Sequence, residues 1–334
     1  MFHLRQIWVS ACGIAVFVAA MTDVCVSIAD DDVLTLNPTA SALFADAVVP
    51  YSIGVEGVGN RAVVLGWAFA ISGRTVASGE VDVPAGNARI SLPVPPLKAG
   101  VTLDSVLHLV AKIDGKEGAV ADKQITIFPK DAFSPLRSIA ERVGVAVYDP
   151  SKTTSEILRK SGLPLISLRS MEAIESAEAQ LVLVGEGMAA DRYTALPKVM
   201  ANAASNGKCV VCLPAASGHW QIPELSGDVP RVRSVSLCRD EGIRTLDKRL
   251  SIAGWADGAE MVSGGILIEA RGKSLQGKVT TGPAAWPWIE IDYVGGGKVI
   301  YCGYRLIVAW ESNPTPRYVL ARLLERMPLP VPAK

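Results

Sequence analysis

Leu181-Val182-Leu183-Val184-Gly185-Glu186-Gly187-Met188-Ala189-Ala190 decides how the second half of this 334-residue chain is read. Four consecutive apolar residues read as a buried strand, and the two glycines read as a tight turn leaving it. Residues 190–205 follow with apolar side chains at helical spacing. Working outward, residues 144–148, 165–168 and 208–213 read as further strands, with helices at 154–161 and 170–177 between them. Alternation of this kind predicts right-handed βαβ units and a parallel sheet. Beyond it, residues 286–293 and 298–304 read as a hairpin around Gly295-Gly296-Gly297, and 315–327 as a closing helix introduced by Pro314 and Pro316.

Toward the N-terminus the period changes. Residues 61–71, 75–83, 88–94, 106–113 and 123–128 read as short strands, with turns at Ser72-Gly73-Arg74 and Asp114-Gly115-Lys116. Strands at this spacing predict an immunoglobulin-like sandwich over residues 45–129. The expectation is therefore a multidomain chain: an N-terminal all-β immunoglobulin-like sandwich, then a C-terminal α/β doubly wound (flavodoxin-like) domain over residues 136–328. Residues 128–134 read as a linker between two independent cores, open to limited proteolysis. His108 alternates with Leu107 and Leu109 on a sandwich strand and reads as a solvent-facing or satisfied side chain.

Residues 1–29 have the layout of a secretory signal: His3 and Arg5, an apolar run over 7–21, then Ser27-Ile28-Ala29 before Asp30-Asp31-Asp32. Cleavage after Ala29 would export the chain, to a periplasmic or extracellular location. The apolar run falls short of the roughly 20 residues that span a bilayer, and no later stretch reaches that length, so no membrane span is expected in the mature chain. Lys plus Arg and Asp plus Glu both total 33. A balanced charge excludes a generic polyanion binder, and nucleic acid is not an expected partner.

Four cysteines follow the signal: Cys209, Cys212, Cys238 and Cys302. Cys209-Val210-Val211-Cys212 has C-x-x-C spacing but lies in a predicted strand, where side chains three apart point to opposite faces. Core packing is the expected role. A bridge between Cys238 and Cys302 stays open at this level.

Gly185-Glu186-Gly187-Met188-Ala189-Ala190 matches the G-x-G-x-x-A dinucleotide fingerprint in letters. The next strand ends at Leu213-Pro214 without the acidic residue that would hold a ribose, so no cofactor is expected and the glycines read as a plain turn. Neutralising Glu186 should then change stability little. A hydrolase is the alternative: Ser217 and His219 share the loop after residues 208–213, and Asp149 or Glu186 could supply a carboxylate. With only His108 and His219 beyond the signal and no acidic cluster, no metal site is expected. Trp286, Trp288, Glu290 and Asp292 alternate along one strand and would share a face. Two indoles beside two carboxylates suit a sugar-binding platform; the plainer reading is a hairpin whose tryptophans are half buried by packing.

Taken together, Leu181-Val-Leu-Val-Gly-Glu-Gly, Gly207-Lys208-Cys209-Val210-Val211, Trp286-Pro-Trp288, Gly297-Lys298-Val299-Ile300-Tyr301-Cys302-Gly303 and Pro316-Arg317-Tyr318-Val319-Leu320-Ala321-Arg322-Leu323-Leu324 resemble glutamine-amidotransferase-like domains (class I). The versions they resemble are attached to β-sandwich modules in exported bacterial carbohydrate-active proteins. The resemblance covers residues 136–327 and implies the flavodoxin-like fold. Glu186-Gly187 stands where that family places its nucleophile, so the implied role is non-catalytic binding or assembly, with a glycan or a protein as partner.

Overall fold

The computed structural model describes residues 34–45, 47–57, 59, 61–223, 225, 230–239, 241–250, 265–271, 274–280, 285–311 and 314–327. The expected signal at 1–29 lies outside them. Among the described residues, the first half contains eight strands: β1 (Thr35–Pro38), β2 (Ala42–Phe44), β3 (Ala47–Glu56), β4 (Val63–Ile71), β5 (Arg74–Asp82), β6 (Asn87–Val94), β7 (Leu103–Ile113) and β8 (Lys116–Phe128). They build a three-stranded sheet, β1-β3-β6, against a five-stranded one, β2-β8-β7-β4-β5. Alternation drives the packing: along β6, Ala88, Ile90, Leu92 and Val94 point inward and the residues between them outward. Tyr51, Ile53, Leu65, Phe69, Leu107 and Leu109 fill the shared core. Ser72 and Gly73, and likewise Asp114 and Gly115, all have positive φ, as two-residue turns between twisted antiparallel strands require. The result is an immunoglobulin-like sandwich, and β1 and β2 extend it ahead of residue 45.

The second half runs α1 (Ser134–Val143), β9 (Val145–Tyr148), α2 (Thr153–Lys160), β10 (Ile166–Leu168), α3 (Ala173–Ser176), β11 (Leu181–Val184), α4 (Leu196–Ser205), β12 (Cys209–Cys212), β13 (Gln221–Ile222), β14 (Val232–Cys238), α5 (Glu241–Leu246), β15 (Gly265–Arg271), β16 (Ser274–Thr280), β17 (Trp288–Tyr293), β18 (Lys298–Cys302) and α6 (Pro314–Glu325). A seven-stranded sheet has the order β10-β9-β11-β12-β18-β17-β14, and β13-β16-β15 form a separate antiparallel sheet. Both faces of its central strands β9, β11, β12 and β18 are buried. Val147, Leu183 and Val211 enter one core, and Tyr148, Val184 and Cys212 the other.

These elements correct the expected fold class. Strands make up 45% of the described residues and helices 21%, so the described structure is predominantly β. The flavodoxin-like, doubly wound domain expected over residues 136–328 is not what the second half forms. Its main sheet is mixed: β17 pairs antiparallel with β18, and β14 with β17. Among the described residues between β12 and β17, four strands, β13 to β16, accompany the single six-residue helix α5, where a doubly wound domain would continue to alternate helix and strand. The helices are short. Residues 170–177 yield only the four-residue α3, and the helix expected over 190–205 begins as a single 3₁₀ turn, Ala190–Arg192, before α4 starts at Leu196.

Phe128, Pro129, Ala132 and Phe133 of the expected linker are buried. Phe128, Ala132 and Phe133 join the same core as α6. Phe128 packs on Tyr318 with ring centroids 4.6 Å apart, and Phe133 stacks on Trp310 at 5.6 Å. The Tyr318 hydroxyl donates to the Pro129 carbonyl at 3.0 Å. The Arg249 guanidinium reaches back to Thr102 Oγ1 at 2.8 Å, and that of Arg317 lies 4.5 Å from the ring centroid of Phe44.

Candidate functional site

The carboxyl ends of β9, β11, β12 and β18 bring together most of the residues singled out in the sequence. Asp149 follows β9, and its carboxylate accepts the Ser151 hydroxyl at 2.7 Å and the Ser155 backbone N–H at 2.8 Å. It thereby holds the first turn of α2, where unpaired amides favour an anionic acceptor. The same side chain explains Gly185, since a Cβ there would stand 2.6 Å from Asp149 Oδ1.

Glu186, next along, is buried at 6% exposure. Its carboxylate accepts the backbone N–H of Ile307 at 2.7 Å and that of Val308 at 3.3 Å, closing the turn that follows β18. Burial pushes its pKa up, against the opposing pull of the Ile307, Val308 and Leu306 amides and the charge of Arg305. The backbone of the turn is spent as well. Gly185 N–H donates to the Tyr148 carbonyl and Gly187 N–H to the Pro214 carbonyl, each at 2.9 Å, and Glu186 N–H donates to Thr154 Oγ1 at 2.9 Å. A phosphate cradle or an oxyanion hole needs amides aimed at a ligand. These are aimed into the protein. Gly187 has φ +90°, so its place in the turn is conformational.

Ser217 and His219 occupy the loop after β12, and both are exposed. The loop runs beside the Gly185 turn: Ala189 bridges Ser217, and Ala190 N–H donates to the Ser217 carbonyl at 2.8 Å. His219 is tied by its backbone N–H to Asp191 Oδ1 at 2.8 Å. No hydrogen bond joins the Ser217 and His219 side chains, and neither carboxylate candidate orients the imidazole. Asp191 went unremarked in the sequence because it stands inside a stretch that reads as helix. Its role depends on Gly218, where a Cβ would approach its carboxylate to 2.6 Å. The other histidine beyond the signal, His108, pairs with Asp122 at 2.6 Å on the exposed face of the sandwich.

A cleft opens at this same rim of the sheet. Leu213, Pro214 and Ala215 after β12, Tyr301 to Gly303 at the end of β18, and Trp220, Ile266 and Val279 from the small sheet and its approach enclose it, with Trp286 at the side. Its enclosed space is small, about 20 Å³, and the rest is its open mouth. The lining is apolar, and its ionisable members are neutral at ordinary pH: burial pushes the Cys302 thiol up to about 12 and raises those of Cys212 and Tyr301 as well. Trp220 is fixed as a wall, 1% exposed, by donating its indole N–H to the Ala190 carbonyl at 2.6 Å.

Of the four residues expected to form a platform, Trp286 borders this cleft, half-buried, with the Arg239 guanidinium 4.3 Å from its ring centroid. Trp288 is buried at 2%. Its indole N–H donates to Glu290 at 3.0 Å, and Lys298 pairs with Glu290 at 2.7 Å and with Asp292 at 3.4 Å. Ser234 adds a 2.8 Å bond to Asp292. The carboxylates thus have protein partners, and only Trp286 meets the cleft. Cys209 and Cys212 point into opposite cores, as strand geometry demands. Cys238 and Cys302 both stand opposite Trp288, on either side of β17. Two strand spacings amount to about 9.5 Å, beyond the roughly 7 Å a disulfide can bridge.

No protein-family model matches the chain, and no curated protein matches it. Among solved structures, a CARDB domain from Pyrococcus furiosus aligns at 14% identity over 28% of this chain and 86% of its own, with a TM-score of 0.21. The fibronectin(III)-like modules of Clostridium thermocellum CbhA align at 11% identity over 29% of this chain and 47% of theirs, TM-score 0.20. A protein of the Bacteroides ovatus mixed-linkage glucan utilization locus, solved with a mixed-linkage heptasaccharide, aligns at 10% identity over 82% of this chain and 46% of its own, TM-score 0.18. At such scores none of them lends this chain a function. The resemblance to glutamine-amidotransferase-like domains does not stand either, because the predominantly β architecture lacks the flavodoxin-like domain it implies.

Proposed function

We propose that the chain is an exported, non-catalytic binding protein whose ligand places an apolar group in the cleft beside Trp220 and Trp286. The observation that carries this reading is the commitment of the turn after β11. The amides of Gly185, Glu186 and Gly187 and the Glu186 carboxylate all serve neighbouring backbone or side chains. That leaves Ser217 and His219 without an oriented base or an oxyanion site, whereas the cleft offers an apolar wall open to solvent. A saccharide enters this reading through Trp286, whose indole can stack on the apolar face of a sugar ring. Export rests on residues 1–29, and recovery of a mature chain beginning at Asp30 would support it. The test of binding is titration of residues 30–334 with naphthalene and with simple saccharides, followed by tryptophan emission. Saturable quenching is the expected result, and a flat response to every compound counts against the reading.

A further inference from the structure

The outer edge of β14 is the second surface with an unexplained build. All seven residues of Val232–Cys238 are at least partly exposed, and among the described residues no strand pairs with the side facing away from β17. Among the described residues, other edge strands are short, carry both charges or hold a proline: β10 has three residues, β5 includes Arg74, Glu80 and Asp82, with Glu80 paired to Lys112, and β6 contains Pro93. Natural sheets guard open edges in these ways. β14 does none of these. It contains no acidic residue, Arg231 and Arg233 are exposed at one end, and Val235 and Leu237, each 37% exposed, share one face. Its register shift lies between Val232 and Ser234, which leaves Ser234 to Cys238 in regular pairing geometry.

We propose that β14 is a docking edge for an extended, acidic segment of a partner protein, added to the sheet as a further strand. Backbone hydrogen bonds would supply the pairing, Val235 and Leu237 the apolar contact, and Arg231 and Arg233 the charge preference. Parallel pairing with a second copy of this chain would set arginine beside arginine. This inference is independent of the cleft.

The test uses the mature chain, residues 30–334, and two fluorescein-labelled seven-residue peptides, one alternating valine with aspartate or glutamate and one alternating valine with lysine. The acidic peptide should bind roughly tenfold more tightly, by fluorescence anisotropy, and lose affinity as salt rises. Hydrogen exchange should slow at the β14 amides in its complex. The double variant Arg231→Glu, Arg233→Glu, checked for an unchanged melting curve, should reverse the preference. Should that variant fail to fold, the comparison of peptides on the parent chain still decides. Equal binding of both peptides, no binding of the acidic one at millimolar concentration, or exchange protection away from β14 would overturn the proposal. So would a dimer with β14 protected in the absence of peptide, which would assign the edge to a second copy.

Discussion

Replacing the Glu186 carboxyl by a carboxamide would aim an N–H₂ at one of the two amides, of Ile307 and Val308, that the carboxyl now accepts. Such a group left unsatisfied inside a protein costs about 1–3 kcal/mol, so Glu186→Gln should melt well below the parent. The plain glycine turn read from sequence predicted little change. The pH dependence has a definite sign. Burial raises the folded-state pKa above the unfolded value, so the favourable contribution of the carboxyl is full below the unfolded pKa and declines as pH rises through the folded one. Melting curves between pH 4 and 8 should therefore show the gap between parent and variant narrowing with pH. A gap that widens would mean that the amides outweigh burial. Nothing local in the sequence announces this role, because the carboxylate and the amide of Ile307 are 121 positions apart.

Among the elements, the turn between β17 and β18 does more than reverse the chain. A Cβ on Gly297 would stand 2.2 Å from the Ala204 carbonyl oxygen and 2.3 Å from that of Lys208, and one on Gly295 only 1.6 Å from that of Ser205. Gly295 and Gly297 thus let the hairpin press against the end of α4, and Gly296 reverses the chain at φ +92°. Gly297→Ala should cost about 1–3 kcal/mol or more, as overpacking does, whereas Gly73→Ala meets no neighbour and carries only the strain of positive φ. Chemical denaturation of both variants checks this, and a Gly297→Ala protein as stable as the parent would refute it. The turns Ser72-Gly73 and Asp114-Gly115 were legible in the sequence because glycine between apolar runs has a local meaning. The strands β13 to β16 were not. β13, β15 and β16 are short or interrupted by polar residues and Gly277 and bury apolar side chains by packing on the larger sheet, while β14 is an exposed edge strand of that sheet. The regular alternation before residue 213 was therefore extended into a half of the domain that does not share it.

At the scale of the whole molecule, the sandwich and the mixed-sheet unit meet through buried aromatic rings and two arginines that reach across the junction. The sequence showed a composition suited to a linker at 128–134, but the partners of Phe128 and Phe133 come from α6 and the turn before it. Limited proteolysis should therefore leave residues 128–134 uncut while the chain is folded, and release of a sandwich fragment under native conditions would show that the junction opens. The candidate site divides in the same way. Its residues could be named one at a time from the sequence, yet which of them face solvent and which brace the backbone depends on contacts between distant strands. The most direct test of the central claim, binding without catalysis at the cleft, is naphthalene titration of the parent, Ser217→Ala and Val279→Phe, each first shown to melt cooperatively. Saturable binding retained in Ser217→Ala and lost in Val279→Phe, whose larger ring would occupy the cleft, is the predicted result. Binding untouched by Val279→Phe, or ester turnover by the parent that Ser217→Ala abolishes, would contradict it.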